Sequence, residues 1–258
     1  MTLRLMTWNI KNGGGDRLPA IIEVIRGERP DVLCLQELQH FQRYGQRRMR
    51  ELASAVDMTA HLAPPGFAQP VAVLVREPLR ILRRSRVRWR LHHAAAIAEI
   101  ATTAGPLTAV SAHLNPFSPY RRMREARWLA ARYASPRGLA LIAGDMNGLD
   151  PAGDHVAALA AQPSLYRRRH LGPDGRPDTR AIAAFAEAGF TDLWHTAGAG
   201  DGRTVPTGFA GREFGTVRLD YLLASPALAA RAQKLWVVRD EITEHASDHY
   251  PVRADVDL

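Results

Sequence analysis

Short runs of apolar and β-branched residues recur along the chain, at Leu3–Trp8, Val32–Gln36, Val71–Val75, Val87–Leu91, Ala96–Ala101, Leu107–Leu114, Ala140–Ala143, Val217–Leu223, Leu235–Val238 and Val252–Val256. Runs of this length predict strands. Helical patterns lie between several of them. Asp16–Gly27 carries Leu18, Ile21, Ile22 and Ile25 at spacings of three and four, and Gln42–Val56 has an arginine-rich wet face. A third helix is expected over Pro119–Tyr133, with Ser118 as N-cap and Pro119 in the first turn. Its inner stripe would be Tyr120, Met123, Ala126, Ala130 and Tyr133. A fourth spans Asp178–Ala188 and is closed by Gly189. Strands outnumber helices and the two are mixed. The pattern predicts an α/β fold, a four-layer α-β-β-α sandwich of two stacked mixed sheets flanked by helices. Gly148–Gly153, Gly172–Pro177 and Ala197–Gly215 read as loops. No repeat or linker divides the chain, so residues 1–258 are expected to form one domain.

Composition changes this picture little. The chain has 258 residues, 46% hydrophobic and 23% charged, as ordinary globular proteins do. No run approaches the ~18 apolar residues of a membrane span, and the start lacks the apolar segment of a secretory signal. The single cysteine, Cys34, lies within Val32–Leu35 and reads as a small buried hydrophobe. A cytoplasmic monomer is the expectation. The net charge of +8 favours an anionic substrate. Lys11 and Lys234 are the only lysines, however, and an arginine surplus beside abundant Ala, Gly and Pro is also a GC-rich composition. The charge therefore does not identify the substrate.

The candidate chemistry sits where polar residues end or interrupt apolar runs. Asn9 and Glu37 follow the first two strands, and His113 closes Val110–His113. Asp145 and Asn147 follow Leu139–Ala143 as Gly-Asp-Met-Asn, Asp220 lies inside Arg218–Leu223, and Asp248-His249 opens the last strand. A buried carboxylate is costly unless paired or metal-bound. If Glu37, Asp145, Asp220 and Asp248 gather at one rim, two charges ~5 Å apart repel by about 3 kcal/mol at an effective dielectric near ~20. A divalent cation removes that cost, and an all-oxygen donor set favours Mg²⁺ or Mn²⁺ over Zn²⁺. The histidines are then free for proton transfer or for holding a phosphate oxygen.

Six segments in order, Thr7-Trp8-Asn9-Ile10, Leu35-Gln36-Glu37, Ser111-Ala112-His113-Leu114, Gly144-Asp145-Met146-Asn147, Arg218-Leu219-Asp220-Tyr221 and Ser247-Asp248-His249-Tyr250-Pro251-Val252, resemble the motif series of the endonuclease/exonuclease/phosphatase superfamily. That superfamily includes pancreatic-type DNases, exonuclease-III-type repair nucleases, neutral sphingomyelinases, inositol polyphosphate 5-phosphatases and deadenylases. The resemblance implies Glu37 as principal Mg²⁺ ligand, with Asn9 and Asp248 completing or flanking the site and Mn²⁺ able to substitute. It implies that Asp145 positions or deprotonates the attacking water and that Asn147 holds the phosphate. His249, oriented by Asp220, would act as base or stabilise the transition state. His113 would hydrogen-bond the phosphate or help protonate the leaving group, and Asn9 would also contact substrate. Arg122, on the Tyr120–Tyr133 helix with Glu125, is a candidate substrate-binding or site-supporting residue.

Two departures stand out. Exonuclease-III-type enzymes carry a tyrosine at the position of His113 and an acid at that of Lys11, so this chain resembles the histidine-bearing branch. In pancreatic-type DNases a glutamate orients that histidine, and Gln69 stands in its place here, which leaves the partner of His113 open. Outside the motifs, His40, His61, His92, His93, His155, His170, His195 and His245 read as surface or structural residues. Arg86, Arg88 and Arg90 read as the wet face of a strand, and Arg167-Arg168-Arg169 as a solvated loop near the rim. Asp192 reads as a loop brace. The leading functional expectation is a Mg²⁺/Mn²⁺-dependent nuclease or phosphodiesterase acting on nucleic acid with activated water. The alternative is a phosphatase or phosphodiesterase on a small phosphorylated metabolite, such as a nucleotide or sugar phosphate. A catalytically silent binding module fits poorly, because it would be free to lose the polar set.

Overall fold

The computed structural model describes all residues, Met1–Leu258. Its strands are β1 (Thr2–Asn9), β2 (Val32–Gln36), β3 (Met58–Ala63), β4 (Val71–Arg76), β5 (Ile81–Val87), β6 (Ala95–Ile100), β7 (Leu107–His113), β8 (Leu139–Asp145), β9 (Thr191–Asp192), β10 (Asp220–Ala224), β11 (Ala232–Val237) and β12 (Val252–Asp257). They form two six-stranded sheets in the orders β11-β12-β1-β2-β4-β3 and β5-β6-β7-β8-β10-β9. Both sheets are mixed, since β1 and β2 run parallel, as do β7 and β8, while their other pairings are antiparallel. Helix α1 (Leu18–Glu28) and helix α2 (Arg47–Ala55) cover the outer face of the first sheet, packing Ile21, Ile25, Met49 and Leu52 on Met6, Trp8, Leu33 and Leu35. Helix α3 (Pro119–Tyr133) and the helix Arg180–Glu187 cover the second through Ala126, Leu129, Ile182 and Phe185. The expected four-layer sandwich is the fold.

The inner strands β2, β4, β7, β8 and β10 are buried on both faces, so their apolar runs are nearly continuous. Alternation then decides which core each side chain enters. Leu3 and Leu5 of β1, Leu107 and Ala109 of β7, Leu139, Leu141 and Ala143 of β8, and Leu222 and Ala224 of β10 all face the slab between the sheets. Carrying the same alternation toward one end of the sandwich reaches Thr7 and Ser111, then Asn9, His113, Asp145 and Asp220. Thr7, Gln36 and Ser111 are fully buried and bond one another at 3.1 Å, forming a polar layer over the apolar slab. Cys34, also fully buried, has its thiol pushed up to about 12 by that burial.

Several local expectations are corrected. The strand expected at Val87–Leu91 lies earlier, at Ile81–Val87, and Arg88–Leu91 belongs to the turn after it. Its arginines explain the shift: β5 is a sheet edge, where charge is tolerated and deters edge-to-edge pairing. The strands β3 and β9 were not anticipated, because neither shows clean alternation. Helix α1 runs through Gly27 and is capped by Arg29 in the left-handed region. Helix α3 has the expected bounds, and Ser118 accepts from the Arg121 amide at 3.4 Å. Of its expected inner stripe, Met123, Ala126 and Ala130 are buried and Tyr133 is half-buried, whereas Tyr120 is 58% exposed; Arg122, Glu125 and Leu129 are buried beside them.

Gly144 has a backbone requirement of its own. Its φ is +147°, and a Cβ there would stand 1.9 Å from the carbonyl oxygen of Ala112 on β7. Gly144→Ala is expected to lower unfolding free energy by more than ~2 kcal/mol in urea titrations. A loss below ~0.5 kcal/mol would show that β7 and β8 can part there freely.

Candidate active site

At the polar end of the sandwich, strand pairing sets His113 beside Asp145 and Asp145 beside Asp220. All three are buried. The Asp145 carboxylate is the meeting point. Its Oδ2 accepts from Asn9 Nδ2 at 3.0 Å and lies 3.3 Å from His113 Nε2 and 3.7 Å from His249 Nε2. Its Oδ1 accepts from the Asn147 amide at 2.8 Å. On its other side, His249 Nδ1 is 2.8 Å from Asp220 Oδ2. The backbone of His249 is held by Trp8, whose indole N–H donates to its carbonyl at 2.8 Å.

These distances order the charges. Burial works against an imidazolium at His249, but Asp220 and Asp145 outweigh it and raise its pKa well above 6.5. Burial raises the pKa of Asp145, with His249 opposing the rise. His113 is held neutral, mainly by burial and then by the neighbouring histidines. Two titratable groups on either side of one carboxylate are thus pushed in opposite directions.

A cleft of about 400 Å³ opens above this set, and only 3 of its 18 lining residues are hydrophobic. Glu37, His113, Asp145, Asn147, Asp248 and His249 line it together. Asn9 and Arg122 do not. Asn9 lies fully buried beneath, donating to both Glu37 and Asp145, and its Oδ1 accepts from the Lys11 backbone N–H. Arg122 is buried behind the wall, donating to the carbonyls of Asn147 and Arg169. In this structure Asn9 and Arg122 lie behind the cleft wall, in bonds that support it.

The donor chemistry bears on a divalent ion. Glu37 accepts from Asn9 Nδ2 at 3.1 Å, the Asn12 amide at 3.0 Å and Gln69 Nε2 at 3.1 Å. Of the acids on the cleft wall, Asp145 has histidines, while Asp248 and Glu213 share the Lys11 ammonium at 2.7 and 3.2 Å. Glu37 has no cation, although it sits on an oxygen-rich wall, which fits a hard ion there. Lys11, Asn12, Glu37 and Asn147 all have positive φ and all line this cleft. Such strain persists where surrounding bonds over-determine it.

A family model described as Endonuclease/Exonuclease/phosphatase family matches residues 6–249. The chain belongs to that family. Its activity class is phosphoester hydrolysis. No curated protein matches the sequence. Among solved structures, an endonuclease/exonuclease/phosphatase from Bacteroides vulgatus superposes with a TM-score of 0.74 at 16% identity, covering 100% of this chain and 99% of that one. A mannosyl-6-phosphatase from Bacteroides thetaiotaomicron gives 0.74 at 14% identity, with 99% and 100% coverage. Truncated TDP2 from Caenorhabditis elegans gives 0.70 at 17% identity, with 100% and 98% coverage. At these identities the likeness shows the fold.

Within this family site, several residues lay outside the motifs. His93 is buried and stacks on His113, with centroids 3.8 Å apart and planes 4° from parallel. It was read above as surface or structural, and its neighbour His92 also lines the cleft. Gln69 does not touch His113; it bonds Glu37 and Asn12, and its amide donates to His93 Nδ1 at 3.2 Å. Arg169 and His170 reach the wall, so the arginine run is not wholly solvated, and Phe214 packs its edge on His249 at 5.2 Å. The one sequence signal was the His92-His93 pair opening an apolar strand. Asp192, read as a brace, caps Trp194 at 3.0 Å and pairs with Arg218 at 2.6 Å.

The His249–Asp220 pair has a pH signature. Because the native imidazole pKa is raised above the unfolded ~6.5, its stabilisation is complete below about pH 6.5 and is lost as pH climbs through the native value. Asp220→Asn is expected to move the His249 titration down in ¹⁵N histidine NMR. It should also flatten the difference in stability between about pH 6 and about pH 9. An unchanged His249 titration in the variant would rule out Asp220 as the source of the shift.

Proposed function

We propose that residues 1–258 act as one catalytic unit, a divalent-metal-dependent phosphodiesterase that hydrolyses nucleic acid at this cleft. The supporting observation is the convergence of Asn9, His113 and His249 on one oxygen of Asp145, beside a Glu37 carboxylate without a cation. Glu37 would hold Mg²⁺, or Mn²⁺ in its place, with Asn9 and Asp248 flanking. When bound, the ion supplies charge for the phosphate oxygens and lowers the pKa of water.

The chain's own residues divide the remaining work. Asp145, its pKa raised by burial, is suited to accept a proton from water near neutral pH. His249, kept cationic by Asp220, donates to a phosphate oxygen and offsets charge growing in the transition state. This favours the stabilising role for His249 over that of a base. Neutral His113 donates to the phosphate or the leaving oxygen from the opposite side of Asp145, and Asn147, its backbone held by Arg122, fixes the phosphate. The net charge of +8 and Arg169 on the wall support a polyanionic substrate.

Wild-type protein with Mg²⁺ is expected to cleave a labelled oligonucleotide, and EDTA or Asp145→Ala to abolish cleavage. Phosphate release from a mononucleotide or sugar-phosphate panel without oligonucleotide cleavage would transfer the site to small phosphoesters. His113→Ala should lower turnover by about 10²–10⁴ while leaving the fold intact. Glu37→Gln should raise the Mg²⁺ concentration giving half-maximal rate, and an unchanged requirement would remove Glu37 as ligand.

A further inference from the structure

Beside the cleft lies a second depression of about 410 Å³, with Phe67, Trp89, Arg90, His92, Arg121 and Arg124 among its lining residues. His92 belongs to both depressions, and the turn Asn115–Phe117 borders both. Phe67 and Trp89 meet edge to face at 5.2 Å, yet remain 77% and 65% exposed. Trp89 is seated, because a Cβ on Gly66 would stand 2.6 Å from its ring. Two large rings held open to water in this way mark a contact surface.

The exposed charge around the rings has one sign. Arg90, Arg121 and Arg124 are exposed and take part in none of the chain's ion pairs. The only lining carboxylate, Glu125, has both oxygens bonded to backbone, at 2.7 Å each to the His92 and Asn115 amides. Arg121 and Arg124 also lie in the first turns of α3, where the helix end adds positive potential. A series of rings connects this face to the reacting groups. His113 stacks on His93, His93 meets His92 at 4.8 Å, and His92 meets Phe117 at 5.5 Å.

We propose that this groove binds the unpaired stretch of a nucleic-acid strand next to the scissile phosphate, with bases on Trp89 and Phe67 and phosphates on Arg90, Arg121 and Arg124. Open ring faces suit unstacked bases, and a duplex offers none along its length. The assignment rests on reading the neighbouring cleft as the site of phosphodiester hydrolysis.

Fluorescein-labelled dT12 in EDTA, followed by anisotropy, tests it without cleavage. Wild-type protein should bind dT12 in preference to the same length of duplex. Trp89→Ala should weaken binding about tenfold or more, with Trp89→Phe recovering part. Arg121→Gln with Arg124→Gln should reduce the slope of log affinity against log salt by about 1.4. Folding of each variant is checked by its thermal melt. Equal binding of dT12 by wild type and Trp89→Ala, or preference for anionic phosphatidylglycerol vesicles over dT12, overturns the groove assignment. Wild-type hydrolysis of bis(4-nitrophenyl) phosphate with Mg²⁺, a diester too small to need the groove, separately tests the cleft. Its absence defeats the cleft reading, whereas its presence with failed dT12 binding defeats the groove alone.

Discussion

A carboxylate buried between two sheets must be given donors, and Asp145 places that demand on the whole rim. Its burial puts an unpartnered charge out of the question, since the desolvation cost far exceeds the net stability of a domain. The structure answers with hydrogen bonds from the Asn9 side-chain amide and the Asn147 backbone N–H, and with two imidazoles 3.3 and 3.7 Å away. Each of these groups comes from a different element, so surrounding one carboxylate gathers β1, β7, the Asn147 turn and the segment before β12 around β8. The network that stabilises the rim also holds the groups to which the proposed chemistry assigns proton transfer. Trp8 on the His249 carbonyl and Arg122 on the Asn147 carbonyl support that network from behind.

The slab beneath is graded. Leucine and alanine fill its middle, then Thr7, Gln36 and Ser111 bond one another, and only then do the titratable groups appear. A polar layer of this kind eases the drop in dielectric between core and cleft, and it fixes the heights of β1, β2 and β7 relative to each other. Above it the backbone leaves regular geometry. Lys11, Asn12, Glu37 and Asn147 adopt left-handed conformations, each costing on the order of 1 kcal/mol for a residue with a side chain. The bonds made by Glu37 and Asn147 offset that cost and aim both side chains into the cleft.

Charge on the cleft wall is unevenly neutralised. Lys11 serves Asp248 and Glu213, and the histidines serve Asp145, which leaves Glu37 as the wall carboxylate with no cationic side chain paired to it. Lys11 also joins two loops, one following β1 and the other carrying Glu213. The cleft wall is therefore built partly by the ion pairs of Lys11.

Strand alternation and polar strand ends were legible in the chain itself. Apolar runs closing in Asn9, His113 and Asp145 specify which face each side chain takes, because a strand's period of two is local and rigid. The order of the six segments likewise identified the family, which the match over residues 6–249 bears out. Three things depended on packing. The stack of His93 on His113 joins the bend before β6 to the end of β7, which only the sheet brings together. The burial of Arg122 beside the apolar stripe of α3 depends on the Asn147 and Arg169 carbonyls that receive it, and helical periodicity does not show them. The Lys11 pairing crosses from residue 11 to 213 and 248, so no local spacing carries it. Periodicity is written in neighbouring residues, whereas contact between distant side chains exists only once the sheets have stacked.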